Sequence, residues 1–295
     1  MSVSIITINY NGYDDTCELI DSLFQNETYP FEIIVVDNAS KNNDGERLKV
    51  KYPNVKVIIS PTNLGFAGGN NLGYKSSTGE YILLMNNDMI VKAPFIKPLV
   101  DRFNSSPDIG LVSPKIKYTY APDTIQYAGY TELSTITLRN VLIGVAQKDN
   151  GQYDIACVTG SVHGACLITS RKLIEKVAFM TDIYFLFYEE LDWSLQMRNA
   201  GFQSWYEPAS CVYHKESMTI KRGTPLRLYY LTRSRMLFVR RNRKGFYKIA
   251  SCVYQLTAVL SKQSLDYIIK RDWKMLQALW NGMFNGLIVK IDERG

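Results

Sequence analysis

Between Val3 and Phe103 the sequence alternates short apolar runs of β-branched residues with segments whose apolar positions recur at helical spacing. That alternation commits the region to a parallel sheet with crossover helices, because parallel neighbours need a long connection that packs back on the sheet. The pattern predicts strands at Val3 to Ile8, Glu32 to Val36, Val55 to Ile59 and Tyr81 to Met85. Asp14 or Asp15 is placed to cap a helix whose Leu19, Ile20, Leu23 and Phe24 share one face. Further helices are expected over Asn43 to Val50, Ala67 to Ser77 and Phe95 to Phe103.

From Ile109 to Thr169 the pattern is strand-like and irregular, with IGLVSPKIKYTY and GSVHGACLITS as its β segments, and it is expected to complete the sheet. A short helix near Arg171 to Val177 precedes FLFYEELDWSLQMRNAG, where Leu191, Leu195 and Arg198 repeat helically and Gly201 stops the helix. Two strands, Gln203 to Tyr206 and Cys211 to Tyr213, should follow. From Pro225 onward the pattern is helical, with one helix through Phe238 and two more ending at ALWNGMFNGLIVK. No repeat or Pro/Gly-rich linker separates this tail, so it is expected to pack on the core.

In a parallel α/β sheet, ligands bind beyond the carboxyl ends of the strands. Asn9 follows the first strand, Asp37 the second, the loop NLGFAGGN the third, and Asn86, Asn87 and Asp88 the fourth. Asp37 suits a nucleoside ribose or base, or else a turn cap. The glycine loop lets backbone amides approach an anion, though an ordinary turn explains it equally. It lacks GxGxxG spacing and follows the third strand, which excludes a dinucleotide fingerprint. Asp88, with its neighbouring amides, offers the oxygen ligands that Mg²⁺ or Mn²⁺ favour; the alternative is a polar turn.

Glu189, Glu190 and Asp192 open a helix, where the dipole alone favours acids. They also follow an aromatic run, where desolvation raises a carboxyl toward the range of a useful base. Of the two histidines, His214 ends a strand and is a candidate metal or phosphate ligand, and His163 in GSVHGAC is the weaker candidate.

Five cysteines, odd in number and never in a CxxC pair, argue against a disulfide framework and a zinc site and fit a reducing cytoplasm. The amino terminus has no basic segment before its apolar run, so no signal peptide is expected, and Ile249 to Leu260 is too short to cross a bilayer. The net charge of +6 is concentrated between Lys215 and Lys248, where Glu216 is the one acid among Lys and Arg residues. Such a block favours an anionic partner: phosphate, a lipid headgroup or, ranked lowest, nucleic acid. No aromatic-and-basic nucleic-acid motif accompanies it.

In order, SIITINYNG, EIIVVDNAS, NLGFAGGNNLGY, GEYILLMNND, VHGACLITSRK, FYEELDWSLQMRNAGF and VYH resemble the rhamnosyltransferase-like branch of glycosyltransferase family 2, from Val3 to about Arg241. The resemblance implies a GT-A fold: a mostly parallel central sheet flanked by helices, with a C-terminal helical extension. It implies a catalytic domain over 1–222, with a nucleotide half to about 110 and an acceptor half after it, and an extension over 223–295. It also implies inverting transfer of a sugar from a nucleoside diphosphate to a glycan or lipid-linked acceptor hydroxyl. Carried over by position, Asp88 and His214 hold the metal, and Asp37 holds the nucleoside. Thr7, Asn9, Asn63, Gly69, Asn70, Asn87 and Arg233, with Arg235 as a phosphate candidate, complete the nucleotide-sugar set. Glu190 inherits the catalytic base, with Glu189, Asp192 and His163 as further catalytic or acceptor-binding candidates. The family usually has Asp where this chain has Glu190, which adds about an ångström of reach.

Two rivals remain at this level. A sugar nucleotidyltransferase would carry a glycine-rich basic loop after the first strand, where this chain has NYNG. A nucleotide-sugar-binding protein with weakened or lost catalysis would account for the Glu-Glu pair.

Overall fold

The structure, a computed structural model, describes residues 2–216 and 223–291. The amino-terminal part runs β1 (Val3–Asn9), α1 (Tyr13–Asn26), β2 (Phe31–Asp37), α2 (Asp44–Lys51), β3 (Lys56–Ile59), α3 (Gly65–Lys75) and β4 (Tyr81–Met85), as the alternation predicts. There follow β5 (Met89–Ile90), α4 (Ile96–Asn104), β6 (Ile109–Tyr118), β7 (Ile125–Tyr127), β8 (Cys157–Thr159), β9 (Cys166–Ser170) and α5 (Arg171–Val177). The remainder is α6 (Glu189–Asn199), β10 (Gln203–His214), α7 (Pro225–Asn242), α8 (Gly245–Tyr254), α9 (Leu260–Ile269) and α10 (Trp273–Ile288).

These strands form one sheet in the order β3-β2-β1-β4-β9-β6-β10-β5, with β7 beside β6 and β8 beside β10. The first four are parallel, β9 runs antiparallel between β4 and β6, and β10 is parallel to β6. Alternate residues feed two cores. Ile5, Val35 and Leu83 meet α1, α2 and α4 on one face, and Ile6, Val36 and Leu84 meet α3, α5 and α6 on the other.

Several expectations change. Gly12, not an acid, occupies the α1 N-cap and no side chain caps it; Asp15 lies in the first turn and pairs with Lys215 at 2.7 Å. The two late strands are one, β10, interrupted by a register shift between Glu207 and Cys211. In GSVHGACLITS only the part from Cys166 is strand, so His163 and Gly164 sit in the loop before β9. Three helices, not two, follow α7, with a π-helical turn at Gln255–Val259 joining α8 to α9. Lys221 and Arg222 of the basic block, and the expected boundary at 222/223, lie outside the described residues.

Candidate active site

Because β9 is antiparallel, the loop entering it lies beside the carboxyl end of β4: Met85 pairs with Cys166, and the Asn86 amide donates to the Ala165 carbonyl at 2.9 Å. The end of β10 is placed similarly, with His214 opposite Met89. One sheet edge thus collects Asn9, Asp37, Asn87, Asp88, His163, Gly164 and His214, which come from distant parts of the chain.

His214 Nε2 lies 3.0 Å from Asp88 Oδ1, both largely buried. On the other side of the ring, Nδ1 lies 2.9 Å from Gln126 Oε1. Gln126 uses its amide nitrogen to donate to Glu216 at 3.0 Å, so its oxygen accepts from the histidine and Nδ1 carries the hydrogen. Nε2, when unprotonated, carries a lone pair that faces the carboxylate oxygen. Two acceptors in contact need a proton or a cation between them. For an octahedral ion with bonds of about 2.1 Å, adjacent ligands lie about 3 Å apart, so the pair fits a Mg²⁺ or Mn²⁺ site. Among the described residues no group of three or more His, Cys, Asp or Glu is placed to hold a metal ion, so Asp88 and His214 would supply two ligands of an ion bound there.

His163 stands beside this pair, its ring 6.4 Å from that of His214 and stacked on Tyr130 at 6.3 Å. Its Nδ1 accepts from the Ala165 amide at 3.1 Å, which leaves Nε2 to carry the hydrogen. Burial, reinforced by His214, pushes its pKa down to about 3, so the ring is neutral. Past it lies Glu190. Gly164 lies against it: a Cβ there would stand 3.4 Å from the Glu190 carboxyl carbon. Burial raises the Glu190 pKa above the ordinary carboxyl range. Glu189, more deeply buried, is raised well above it by burial and then by the Glu190 charge, and its Oε1 has no hydrogen-bond partner among the described residues. Of the two acids, Glu189 is the more strongly pushed toward its protonated form, and Glu190 is the less buried one.

Glu190 is presented by a strained loop. Phe185, Phe187 and Tyr188 all have positive φ, of 66°, 66° and 79°, without a glycine among them. Such conformations cost on the order of 1–3 kcal/mol each and persist where the surroundings enforce them. Here α7 does so: Arg233 donates to the Tyr184 carbonyl and Ser234 to the Leu186 carbonyl, both at 2.8 Å, and Arg235 donates to the Tyr188 hydroxyl at 3.0 Å. From the other side, the Phe66 amide donates to the Phe185 carbonyl at 2.8 Å. Gly65 permits that approach, since a Cβ there would lie 2.2 Å from the Phe185 oxygen.

The structure reassigns several candidates. Arg233 uses Nη1 to hold the loop at the Tyr184 carbonyl, and Arg235 uses Nε on the Tyr188 hydroxyl. Asp192, 2% exposed, accepts from Tyr184 and Asn242 and pairs with Arg241, so it ties α6 to α7 and has no open side. Thr7 is wholly buried within β1, short of the cleft. Gly69 serves helix packing, because a Cβ would meet Ile8 at 2.8 Å, and Asn70 donates back to the Phe66 carbonyl at 3.0 Å. Asn63 accepts from Asn38 at 3.0 Å and from the Gly65 amide at 2.9 Å, shaping the loop into α3. Asn9 donates to Asp37 Oδ1 at 2.8 Å and so orients that acid at the cleft floor. Asn87 donates to Thr16 at 3.0 Å beside Gly12, where a Cβ would collide with it at 2.7 Å. Gln126, Tyr130, Gly164 and Ser234 belong to the site without having been expected.

A family model described as glycosyl transferase family 2 matches residues 4–177. The low-salt glycan biosynthesis hexosyltransferase Agl10 of Haloferax volcanii is 25% identical over 203 residues, 66% of this chain and 61% of that protein. An N-acetylglucosaminyl-diphospho-decaprenol L-rhamnosyltransferase of Mycobacterium tuberculosis is 21% identical over 264 residues, 83% of this chain and 86% of that one. Among solved structures, GalNAc-T7 with UDP, GalNAc and Mn²⁺ has a TM-score of 0.65 at 16% identity, covering 86% of this chain and 50% of that one. The mannosyltransferase PcManGT of Pyrobaculum calidifontis, with GDP-Man and Mn²⁺, has a TM-score of 0.57 at 15% identity, covering 98% and 88%. These likenesses show a GT-A fold. The family model spans well over half of the sequence and ends beyond the loop that pairs β4 with β9, so the chain belongs to glycosyl transferase family 2.

Proposed function

We propose that the chain is an inverting, metal-dependent hexosyltransferase of the rhamnosyltransferase-like branch, with a catalytic domain through about residue 222 and a helical extension beyond it. Its donor is a nucleoside-diphosphate sugar and its acceptor a glycan or lipid-linked hydroxyl, in polysaccharide or cell-surface glycan synthesis. The reading rests on one observation above the others: Nε2 of His214 and Oδ1 of Asp88 face each other at 3.0 Å, at the sheet edge whose Gly164 lies against Glu190 of α6. Asp88 and His214 would hold Mg²⁺ or Mn²⁺, which when bound neutralises charge on the diphosphate.

Asp37, oriented by Asn9, binds the nucleoside. Glu190 takes the proton of the acceptor hydroxyl as its oxygen attacks the anomeric carbon from the face opposite the diphosphate. Its raised pKa makes it a stronger base than an exposed carboxylate, and burial pushes Glu189 further toward its protonated form, which disfavours two adjacent charges. The clasp by α7 holds the carboxyl in position, where small displacements are costly to rate. The relatives that support the acceptor class carry it in their names: a low-salt glycan hexosyltransferase and a rhamnosyltransferase acting on a diphospho-decaprenol. Work at the cytoplasmic face of a membrane is part of the same reading.

The test is thermal unfolding with UDP-, GDP- and dTDP-sugars, with and without Mn²⁺. A donor that raises the midpoint only with the ion supports the reading, since a ligand stabilises the state that binds it. Stabilisation by none of them contradicts it.

A further inference from the structure

The outer helices turn large apolar side chains outward. Along the run from α8 to α9, the side facing the protein carries buried polar groups beside Leu260. Ser251 is fully buried and donates to the Thr135 carbonyl at 3.2 Å, and Gln255, 1% exposed, has its amide nitrogen 3.5 Å from the Thr137 carbonyl. Ser264 Oγ and Gln255 Oε1 are buried there with no partner among the described residues. The outward side carries Phe246, Ile249, Val253, Leu265 and Ile269, each more than half exposed. In α10, Met275, Leu279 and Met283 turn inward, and Trp273, Trp280, Phe284 and Ile288 turn outward, again more than half exposed. Water favours the opposite arrangement for a surface helix, and apolar patches of this kind mark interaction sites.

Charge identifies what covers the patch. Lys244, Lys248, Lys262 and Lys290, with Lys270, Arg271 and Lys274 at the turn into α10, are all exposed. Against them stand Asp266 and Asp272 in this span, and Asp272 caps α10 by accepting from the Met275 amide at 3.1 Å. A second copy docked through the same face would set these cations against their own equivalents. An anionic bilayer matches both features: its acyl boundary takes the apolar side chains, its interface suits Trp and Phe, and its headgroups attract Lys and Arg. Among the described residues no helix is long and apolar enough to cross a membrane.

We infer that α8, α9 and α10 form a surface that lies in the plane of an anionic lipid bilayer with its apolar side chains inserted. The inference rests on the proposed function for its purpose, the delivery of a lipid-linked acceptor, and not for its measurement. A structural link joins the two. α10 packs on α7 so closely that a Cβ at Gly282 would lie 2.5 Å from the Tyr229 carbonyl, and α7 also clasps the loop that carries Glu190.

The experiment is flotation of the full chain with phosphatidylcholine vesicles, with and without phosphatidylglycerol, alongside quenching of tryptophan emission by lipids brominated in the acyl chains. Wild type should float with the anionic vesicles, stay bound in high salt, and be quenched. The variant combining Trp280→Ser and Phe284→Ser should lose vesicle affinity by about tenfold or more. Its unfolding midpoint and its stabilisation by nucleotide sugar with Mn²⁺ should match wild type. Absence of flotation, binding that salt abolishes without quenching, unchanged binding by the double variant, or a dimer that the double variant dissociates would each overturn the inference. Loss of nucleotide-sugar stabilisation in wild type would instead count against the proposed function and leave the vesicle result standing.

Discussion

Gln126 orients the His214 ring: its oxygen, 2.9 Å from Nδ1, accepts there and turns Nε2 toward Asp88 Oδ1 at 3.0 Å. Replacing Asp88 by Ala should therefore remove the Mn²⁺-dependent part of nucleotide-sugar stabilisation. Gln126→Ala, which touches no cation, should weaken Mn²⁺ by about tenfold or more, as loss of an orienting partner usually does. Calorimetric titration of Mn²⁺ in the presence of nucleoside diphosphate measures both, and an unchanged affinity in Gln126→Ala would separate it from the site.

Gly65 has φ +72°, and a Cβ there would lie 2.2 Å from the backbone oxygen of Phe185. Neither the conformation nor the contact can be relieved by turning a side chain. Gly65→Ala should cost at least about 2 kcal/mol of stability. Urea unfolding measures it, with wild-type stability as the contrary result.

Glu189 gives a pH signature. Its folded pKa is raised above the unfolded value, so its contribution to stability is fully present below the ordinary carboxyl pKa and is lost as pH rises through the raised folded value. Glu189→Gln removes this dependence. The midpoint of the variant relative to wild type should climb as pH goes from acid to neutral. A constant difference across that range would mean that Glu189 is ionised in the fold.

Asp192 is held by Arg241 at 3.3 Å in a buried contact between α6 and α7. Arg241→Ala leaves the carboxylate with neutral donors and should cost about 2–3 kcal/mol. Arg241→Lys should recover part of that in the same unfolding assay; equal losses in the two variants would show that the charge is not what matters there.

How much of this was legible in the sequence differs by region. The amino-terminal part was, because its strands alternate buried faces and its helices repeat at their own period, so β1 to β4 and α2 to α4 lie within a residue or two of expectation. The placement of Asp37, Asp88 and His214 at one sheet edge followed from the same logic. Gln126 and Tyr130 were not legible, since they come from the irregular stretch after β6 where no period marks a face. The lone amide in the apolar run IQY was the available signal for Gln126. The strained Phe185 to Tyr188 loop carries no glycine to betray its positive φ angles, and its supports are supplied by α7, some fifty residues later in the chain. Gly69 and Asn70 misled in the other direction: a glycine-rich loop before a helix reads as an anion cradle, whereas here close packing of α3 on β1 accounts for Gly69.

The proposed role of Glu190 as the base is tested most directly by Glu190→Gln, in which donor affinity and the release of nucleoside diphosphate during transfer are measured on the same preparation. Donor affinity with Mn²⁺ should stay near wild type, and acceptor-dependent release should fall by about 10²-fold or more. Wild-type release from the variant would contradict the assignment of the base.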